Sequence, residues 1–399
     1  MAGRALSKSV YILGGKRTAY GAYGGTLKDW TATKMQLHAS QAAVAQAGLE
    51  PSDIESVVVG NCIQSDPTCP YVARHVALQM GCEQKTPALT INRLCGSGFQ
   101  SVVDIANEID LGVTNAGLAG GTESMSGAPH AAYGHRFGTK LGSDIKLVDT
   151  LWAGLTDMNI KLPMGVTAEN LAVKYGLSRE DADALALRTQ QRWGKAQAAG
   201  IFADEIAPIE VKKKGKMVSF EVDEHARPSV TMEQLAKLPS VFKKGGAVSA
   251  GNASGVCDGA GALVLANDEK VKEKNAKPLA RVVAYSYVGC DPTIMGIGPV
   301  PAINKVLELG GISKNDVGIF DINEAFAPQF LACEKELDLD PERTNVCGGA
   351  IALGHPLASS GSRIMAHLAH AVQRTGDRYA VGSACIGGGQ GIAILIEKC

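Results

Sequence analysis

Thr90-Ile91-Asn92-Arg93-Leu94-Cys95-Gly96-Ser97-Gly98-Phe99-Gln100-Ser101 is the stretch whose reading decides the fold. An extended run at 88–92 breaks into a turn of small residues. Beyond it Phe99, Val102, Val103, Ala106 and Ile109 recur at helical spacing, so strand, tight turn and helix follow one another with a cysteine at the junction. Small residues around Cys95 let a second backbone or a substrate approach closely. The free N–H groups of a helix N-terminus favour a thiolate, and the same groups can hold an oxyanion. A buried structural thiol is the ordinary fate of a cysteine in apolar surroundings. The strand–Cys-Gly-Ser-Gly–helix context sets Cys95 apart from that background.

The alternation continues outward. Short apolar runs at 57–60, 88–92, 262–266, 317–322, 379–384 and 391–396 read as buried strands, and 33–47, 98–111, 301–309 and 360–373 read as helices. This pattern predicts α/β layers. Only residues 385–390 separate the last two strands, which predicts a hairpin with a glycine-rich turn. The stretch from about 123 to 247 departs from the pattern, with polar residues at 134–140, a charged helical stretch at 178–199 and the basic run Lys212-Lys213-Lys214-Gly215-Lys216. It reads as a large insertion between core strands. The lysines suit a solvated face or a phosphate contact. A second strand–turn–helix unit at 345–373 echoes the first and hints at an internal duplication.

Three further segments offer chemistry. In Gly348-Gly349-Ala350-Ile351-Ala352-Leu353-Gly354-His355-Pro356 a histidine sits on a glycine-rich bend, a natural general base for a thiol near neutral pH. In Cys385-Ile386-Gly387-Gly388-Gly389-Gln390-Gly391 a second cysteine ends a buried strand. Another strand follows, not a helix, which disfavours a dinucleotide fingerprint. That thiol can serve as a general acid/base if it lies beside Cys95. Asn323 in Asn323-Glu324-Ala325-Phe326-Ala327 can hold a water, orient a histidine or cap a helix.

Bulk properties narrow the classes. A formal net charge of -1 gives no bulk signal for nucleic acid or an anionic membrane. No apolar run approaches the roughly 18–20 residues that span a bilayer. Ten cysteines include no C-x-x-C pair, so no metal site is expected, and the thiols read as core residues in a reducing compartment. Arg4, Lys8, Lys16, Arg17 and Lys28 all precede the first acidic residue, Asp29. That start suits a mitochondrial targeting segment, the flanks of a first strand, or both.

Together the Cys95, Asn323, His355 and Cys385 motifs, in this order and at these distances, resemble the thiolase family over essentially the whole chain. The pattern is nearest to the mitochondrial-type 3-ketoacyl-CoA thiolases. The resemblance implies a five-layer αβαβα fold of two similar halves with an inserted loop domain. It implies an N-terminal thiolase domain at 1–270, including the loop domain at about 123–247, and a C-terminal one at 271–399. It implies a homodimer or homotetramer in the mitochondrial matrix, acting in fatty acid β-oxidation. CoA and acyl-CoA are then substrates, with no separate cofactor, metal, nucleic acid or membrane. By the same resemblance Cys95 is the acylated nucleophile, His355 its base, and Cys385 the acid/base at the acetyl methyl carbon. Asn323 holds a water that forms one oxyanion hole with His355, and the N–H groups of Cys95 and Gly387 form the other. Ser254 matches a contact to the pantetheine arm, Arg227 one near the adenine and its phosphates, and Val230 lies in the same loop.

Two positions depart from the family pattern: Ala358 stands where many members have glycine, and Cys347 where many have asparagine. Leu162-Pro163-Met164 lacks the histidine of acetoacetyl-specific members. The competing expectations are an acetoacetyl-CoA thiolase working in the condensing direction, a ketoacyl synthase, and a non-catalytic acyl-CoA or lipid binder on the same fold. Cys385 in the second acid/base position argues against the synthase, and the presence of Cys95, His355 and Cys385 argues against the binder.

Overall fold

The computed structural model describes residues 2–213 and 215–399, so Lys214 of the basic run lies outside the described residues. The long strands are β1 (Ala2–Arg17), β2 (Ser56–Gly60), β3 (Ala88–Ile91), β4 (Ala116–Ser124), β5 (Cys257–Ala266), β6 (Ala280–Gly289), β7 (Val317–Ile322), β8 (Tyr379–Ile386) and β9 (Gln390–Lys398). The longer helices are α1 (Ala32–Gln46), α2 (Val72–Met80), α3 (Ser97–Asp110), α4 (Met164–Tyr175), α5 (Arg179–Ala198), α6 (Pro299–Gly310), α7 (Ala327–Leu337) and α8 (Ser359–Thr375).

The strands lie in the order β7-β8-β9-β6-β1-β5-β4-β2-β3. The duplication hinted at by the sequence is real. The first half runs β3-β2-β4-β5-β1, parallel at β2/β3 and β2/β4. The second runs β7-β8-β9-β6, parallel at β7/β8, and a parallel bridge from Phe320 to Thr344 stands where β3 stands in the first. The two half-sheets join through β1 and β6, which pair antiparallel at Ala2–Ala5 and again at Val10–Ile12.

Strand periodicity assigns the layers. Val58, Ala119, Leu263 and Leu265 from one half, and Ala380, Ala384, Ile392 and Ile394 from the other, pack on the same central helices, α3 and α8. Alternate residues Val57, Val59, Leu118 and Val264 face outward onto α1 and α2. Val381, Ala393 and Leu395 face outward onto α6 and α7. The result is helix, strand, helix, strand, helix, as expected, with the strand layers continuous at one edge.

The insertion begins later than its composition suggests. Thr122, Glu123 and Ser124 are polar, yet all three are buried strand residues, and the chain rejoins the sheet at Cys257. Between these points lie α4, α5 and small hairpins, one of which, Ile209–Lys213 with Lys216–Phe220, exposes Lys212, Lys213 and Lys216. The second half replaces this whole excursion with the tight turn between β8 and β9.

Candidate active site

The turn that carries Cys95 is strained. Leu94, immediately before Cys95, has φ 48°, a left-handed conformation that costs a bulky residue about 1–3 kcal/mol. Neighbours hold it there. Asn92 Oδ1 accepts the Leu94 N–H at 2.9 Å, Ser97 Oγ donates to the Leu94 carbonyl at 2.7 Å, and the Cys62 thiol donates to the same carbonyl at 3.2 Å. Cys95 is thereby lifted to the mouth of α3.

The second half brings its residues to the same point. β8 carries Cys385 close enough to Cys95 for their charges to interact. The turn beyond it needs glycine at Gly388 and Gly389, with φ 80° and 82°, and it points the Gly387 N–H at the Cys95 sulfur. His355 follows Gly354, whose φ is 103° and where a Cβ would meet the Cys257 sulfur at 2.5 Å. The His355 N–H is anchored on the Gly255 carbonyl at 2.9 Å, and its Nδ1 lies 2.6 Å from Ser360 Oγ. Asn323, just past β7, places its Nδ2 3.3 Å from His355 Nε2. Its backbone N–H bonds the Ser383 carbonyl on β8 at 2.9 Å. Phe326, not Asn323, is the N-cap of α7, so the helix-cap alternative is not realised.

Burial governs the electrostatics. It pushes the Cys95 thiol up to about 11, against the pull of the Gly387 and Cys95 N–H groups. The helix N-terminus therefore does not produce the resting thiolate that the sequence suggests. Burial also pushes Cys385 well above the ordinary thiol range, and it lowers His355 to about 3, with the Arg363 charge adding to the effect. At neutral pH thiols and imidazole are all uncharged, and His355 is free to accept a proton. Behind them Glu123 is fully buried, and desolvation raises its carboxyl to about 7 despite backbone N–H bonds from Ile63 and Ala358.

A mainly apolar cavity of about 240 Å³ opens over Cys95, lined by Leu94, Leu155, Met164, Leu357, Gly387 and, on a more polar side, Asp157. Leu155, Asp157 and Met164 come from the insertion, so the excursion of the first half supplies one wall. Of the residues matched to CoA contacts, Ser254 donates its backbone N–H to the carbonyl of Ala325, two residues after Asn323, at 3.0 Å. Arg227 is exposed and curls onto the carbonyls of Glu224, His225 and Ala226 at 2.8–2.9 Å. Val230 is half-buried and packs on the outer core of the second half.

The departures fall in benign places. Ala358 has φ -69° and ψ -25°, open to any residue, so alanine replaces glycine there without strain. Cys347 lies in an apolar cluster with Trp193, Phe202 and Leu353. Sequence reasoning missed Glu123, Cys62 and the role of Ser360. Ser360 was legible as a hydroxyl five residues after His355. Glu123 had one signal, an acid closing a glycine-rich apolar run.

Two family models match the chain: Thiolase, N-terminal domain, over residues 10–269, and Thiolase, C-terminal domain, over residues 276–398. The 3-ketoacyl-CoA thiolase, mitochondrial, of Mus musculus is 61% identical over 395 residues, covering 99% of each chain, and that of Homo sapiens is 59% identical at the same coverage. The crystal structure of human mitochondrial 3-ketoacyl-CoA thiolase superposes with a TM-score of 0.98 at 58% identity, covering 99% of this chain and 100% of that one. The human enzyme in complex with CoA gives 0.97. This chain belongs to the thiolase family.

Proposed function

We propose that the chain cleaves 3-ketoacyl-CoA with CoA, giving acetyl-CoA and an acyl-CoA two carbons shorter through an acyl-Cys95 intermediate. The observation that supports this best is that Cys95, lining an apolar cavity, receives the Gly387 N–H and faces Cys385, while Asn323 and His355 of the same half as Cys385 are held 3.3 Å apart. That set fits carbon–carbon cleavage, which needs a nucleophile, a proton donor for the departing carbon and two places for an oxyanion.

In this reading His355 takes the Cys95 proton as the sulfur attacks the 3-keto carbon. The carbonyl oxygen of that carbon becomes an oxyanion held by the Cys95 and Gly387 N–H groups. The bond between carbons 2 and 3 then breaks, and its electron pair goes to carbon 2 as the enolate of acetyl-CoA. Asn323, through a bound water, and His355 hold the enolate oxygen while the Cys385 thiol protonates carbon 2. CoA next enters and passes its thiol proton to the Cys385 thiolate. Its sulfur attacks the acyl-Cys95 thioester, and the expelled Cys95 recovers its proton from His355. The neutral resting state suits this order, because charge appears only as substrate reacts.

The cavity takes the acyl chain, and Ser254, Arg227 and Val230 mark the route of CoA. The human relative in complex with CoA supports the binding of CoA. A mitochondrial matrix location is part of the same proposal, supported by the mitochondrial relatives and the basic start of the chain. So is a homodimer or homotetramer. The test is to incubate the protein with 3-ketoacyl-CoA in the absence of free CoA and map the acyl group by peptide mass spectrometry. Label belongs on Cys95 and disappears in Cys95→Ala, whereas label confined to another cysteine would refute the reading.

A further inference from the structure

Glu123 is a buried ionisable group beside Cys95 to which the chemistry above assigns no task. Glu123 ends β4 with its side chain out of contact with solvent. Four N–H donors face its carboxylate: Ile63 N at 2.8 Å, Asn61 Nδ2 at 3.2 Å, Cys62 N at 3.3 Å from each oxygen, and Ala358 N at 3.1 Å. A carboxylate only accepts, and an ionised one makes charge-assisted bonds, so this cradle is built for the anion.

The donors come from both halves of the molecule. Residues 61–63 follow β2 in the first half, and the Cys62 thiol bonds the carbonyl of Leu94, the strained residue before Cys95. Ala358 belongs to the second half, three residues after His355. It follows Leu357 of the cavity wall and precedes Ser360, which holds His355 Nδ1. We propose that Glu123 is a positioning residue whose carboxylate clamps the segment beneath Cys95 to the segment that bears His355, fixing nucleophile and base relative to one another across the joint between the halves. The inference rests on the reading of Cys95 and His355 given above. The same anion disfavours a second negative charge on Cys95. The other titratable groups facing Cys95 are Cys385 from β8 and Cys62 after β2.

Two variants of the full chain separate clamp from charge. Glu123→Gln turns an NH2 group toward one set of N–H donors and removes the charge. Glu123→Asp keeps the charge but is one methylene too short to reach Ile63 and Ala358 together. The readouts are the pH profile of Cys95 alkylation by iodoacetamide, resolved by peptide mass spectrometry, and kcat and KM for thiolysis. In Glu123→Gln the alkylation midpoint moves down by about half a pH unit or more, because a neighbouring anion is gone. In Glu123→Asp it stays at the wild-type value. In both, kcat falls about tenfold or more while KM for acyl-CoA changes less than about threefold, as expected when reacting groups are misplaced but binding is intact. A folded Glu123→Gln protein with wild-type midpoint and kcat overturns the proposal. Should that variant not fold, wild-type kcat in Glu123→Asp overturns it. Failure of the wild type to form acyl-Cys95 would sink the reading of the site instead, and the alkylation profiles would still report on Glu123.

Discussion

The two halves share one strand order and one run of strands and helices, yet they contribute opposite things. In the proposed chemistry the first half provides one reacting side chain, Cys95, and its chain then leaves the sheet for residues 125–256, returning a wall of the cavity. The second half closes the equivalent connection with the Gly387–Gly389 turn and supplies Asn323, His355 and Cys385. A duplicated fold places two helix N-termini, those of α3 and α8, back to back at the centre of the molecule. Divergence then loads one with a thiol and surrounds the other with acid/base groups.

The sharpest way to break this division of labour is at the two thiols. Cys385→Ser has a hydroxyl too weakly acidic to exchange protons at carbon, and loss of general acid–base catalysis typically costs about 100- to 10,000-fold. Deuterium exchange at the acetyl methyl group of acetyl-CoA should collapse by that order. Acyl exchange between acetyl-CoA and a second thiol needs only Cys95 and should persist. Equal loss of both would show that the second half also supports the nucleophile directly.

A second prediction concerns the charges that tie the excursion to both halves. Arg17 of β1 is buried against Glu205 at 2.8 Å and Asp223 at 2.7 Å, and His367 of α8 lies 2.6 Å from Glu205. The Glu205 charge raises His367 to about 10, overcoming its desolvation, and the His367 and Arg17 charges overcome desolvation to hold Glu205 well below the usual carboxylate range. A raised histidine stabilises fully below its unfolded value of about 6.5, and that contribution is lost as pH rises through about 10. The denaturant midpoint of the wild type should therefore fall between neutral pH and pH 10. His367→Gln should flatten that slope and lower the midpoint at pH 7. A parallel slope in the variant would place the titration elsewhere.

The smallest effect probes the joint between the central helices. A Cβ at Gly98 of α3 would meet the Ala358 carbonyl and the Ser362 N–H of α8, each at 2.5 Å. Gly98→Ala should cost about 1–3 kcal/mol of stability through overpacking. The same change at Gly311, where added atoms meet nothing within 4 Å but φ is 64°, separates backbone strain from crowding. Equal loss at both sites would mean that the helix contact is looser than it looks.

Sequence and structure part company in α8. Ser359, Ser360, Ser362, Arg363, His367 and His370 suggest a helix with one wet face, yet every residue from Ser359 to Val372 is buried. Each of these last three polar side chains finds a partner: Arg363 on Asp321 at 2.8 Å, His367 on Glu205, and His370 on the Gly15 carbonyl at 3.0 Å. Composition cannot reveal partners that lie 42 to 355 residues away along the chain. Glu123 was misread as the start of a loop for the same reason.

By itself the sequence determined the local units. Apolar periodicity placed β2, β3, β7, β8, β9, α1, α3, α6 and α8 to within a few residues but left β4, β6, α2, α4 and α7 unread, and glycine beside Cys95, His355 and Cys385 marked three tight bends. Tertiary structure alone decided what those bends do to one another. It joined the half-sheets through β1 and β6 and set the Gly387 N–H on the Cys95 sulfur. It kept the thiol protonated at rest, because the cost of desolvating a charge depends on everything packed around it and not on the neighbours in the chain.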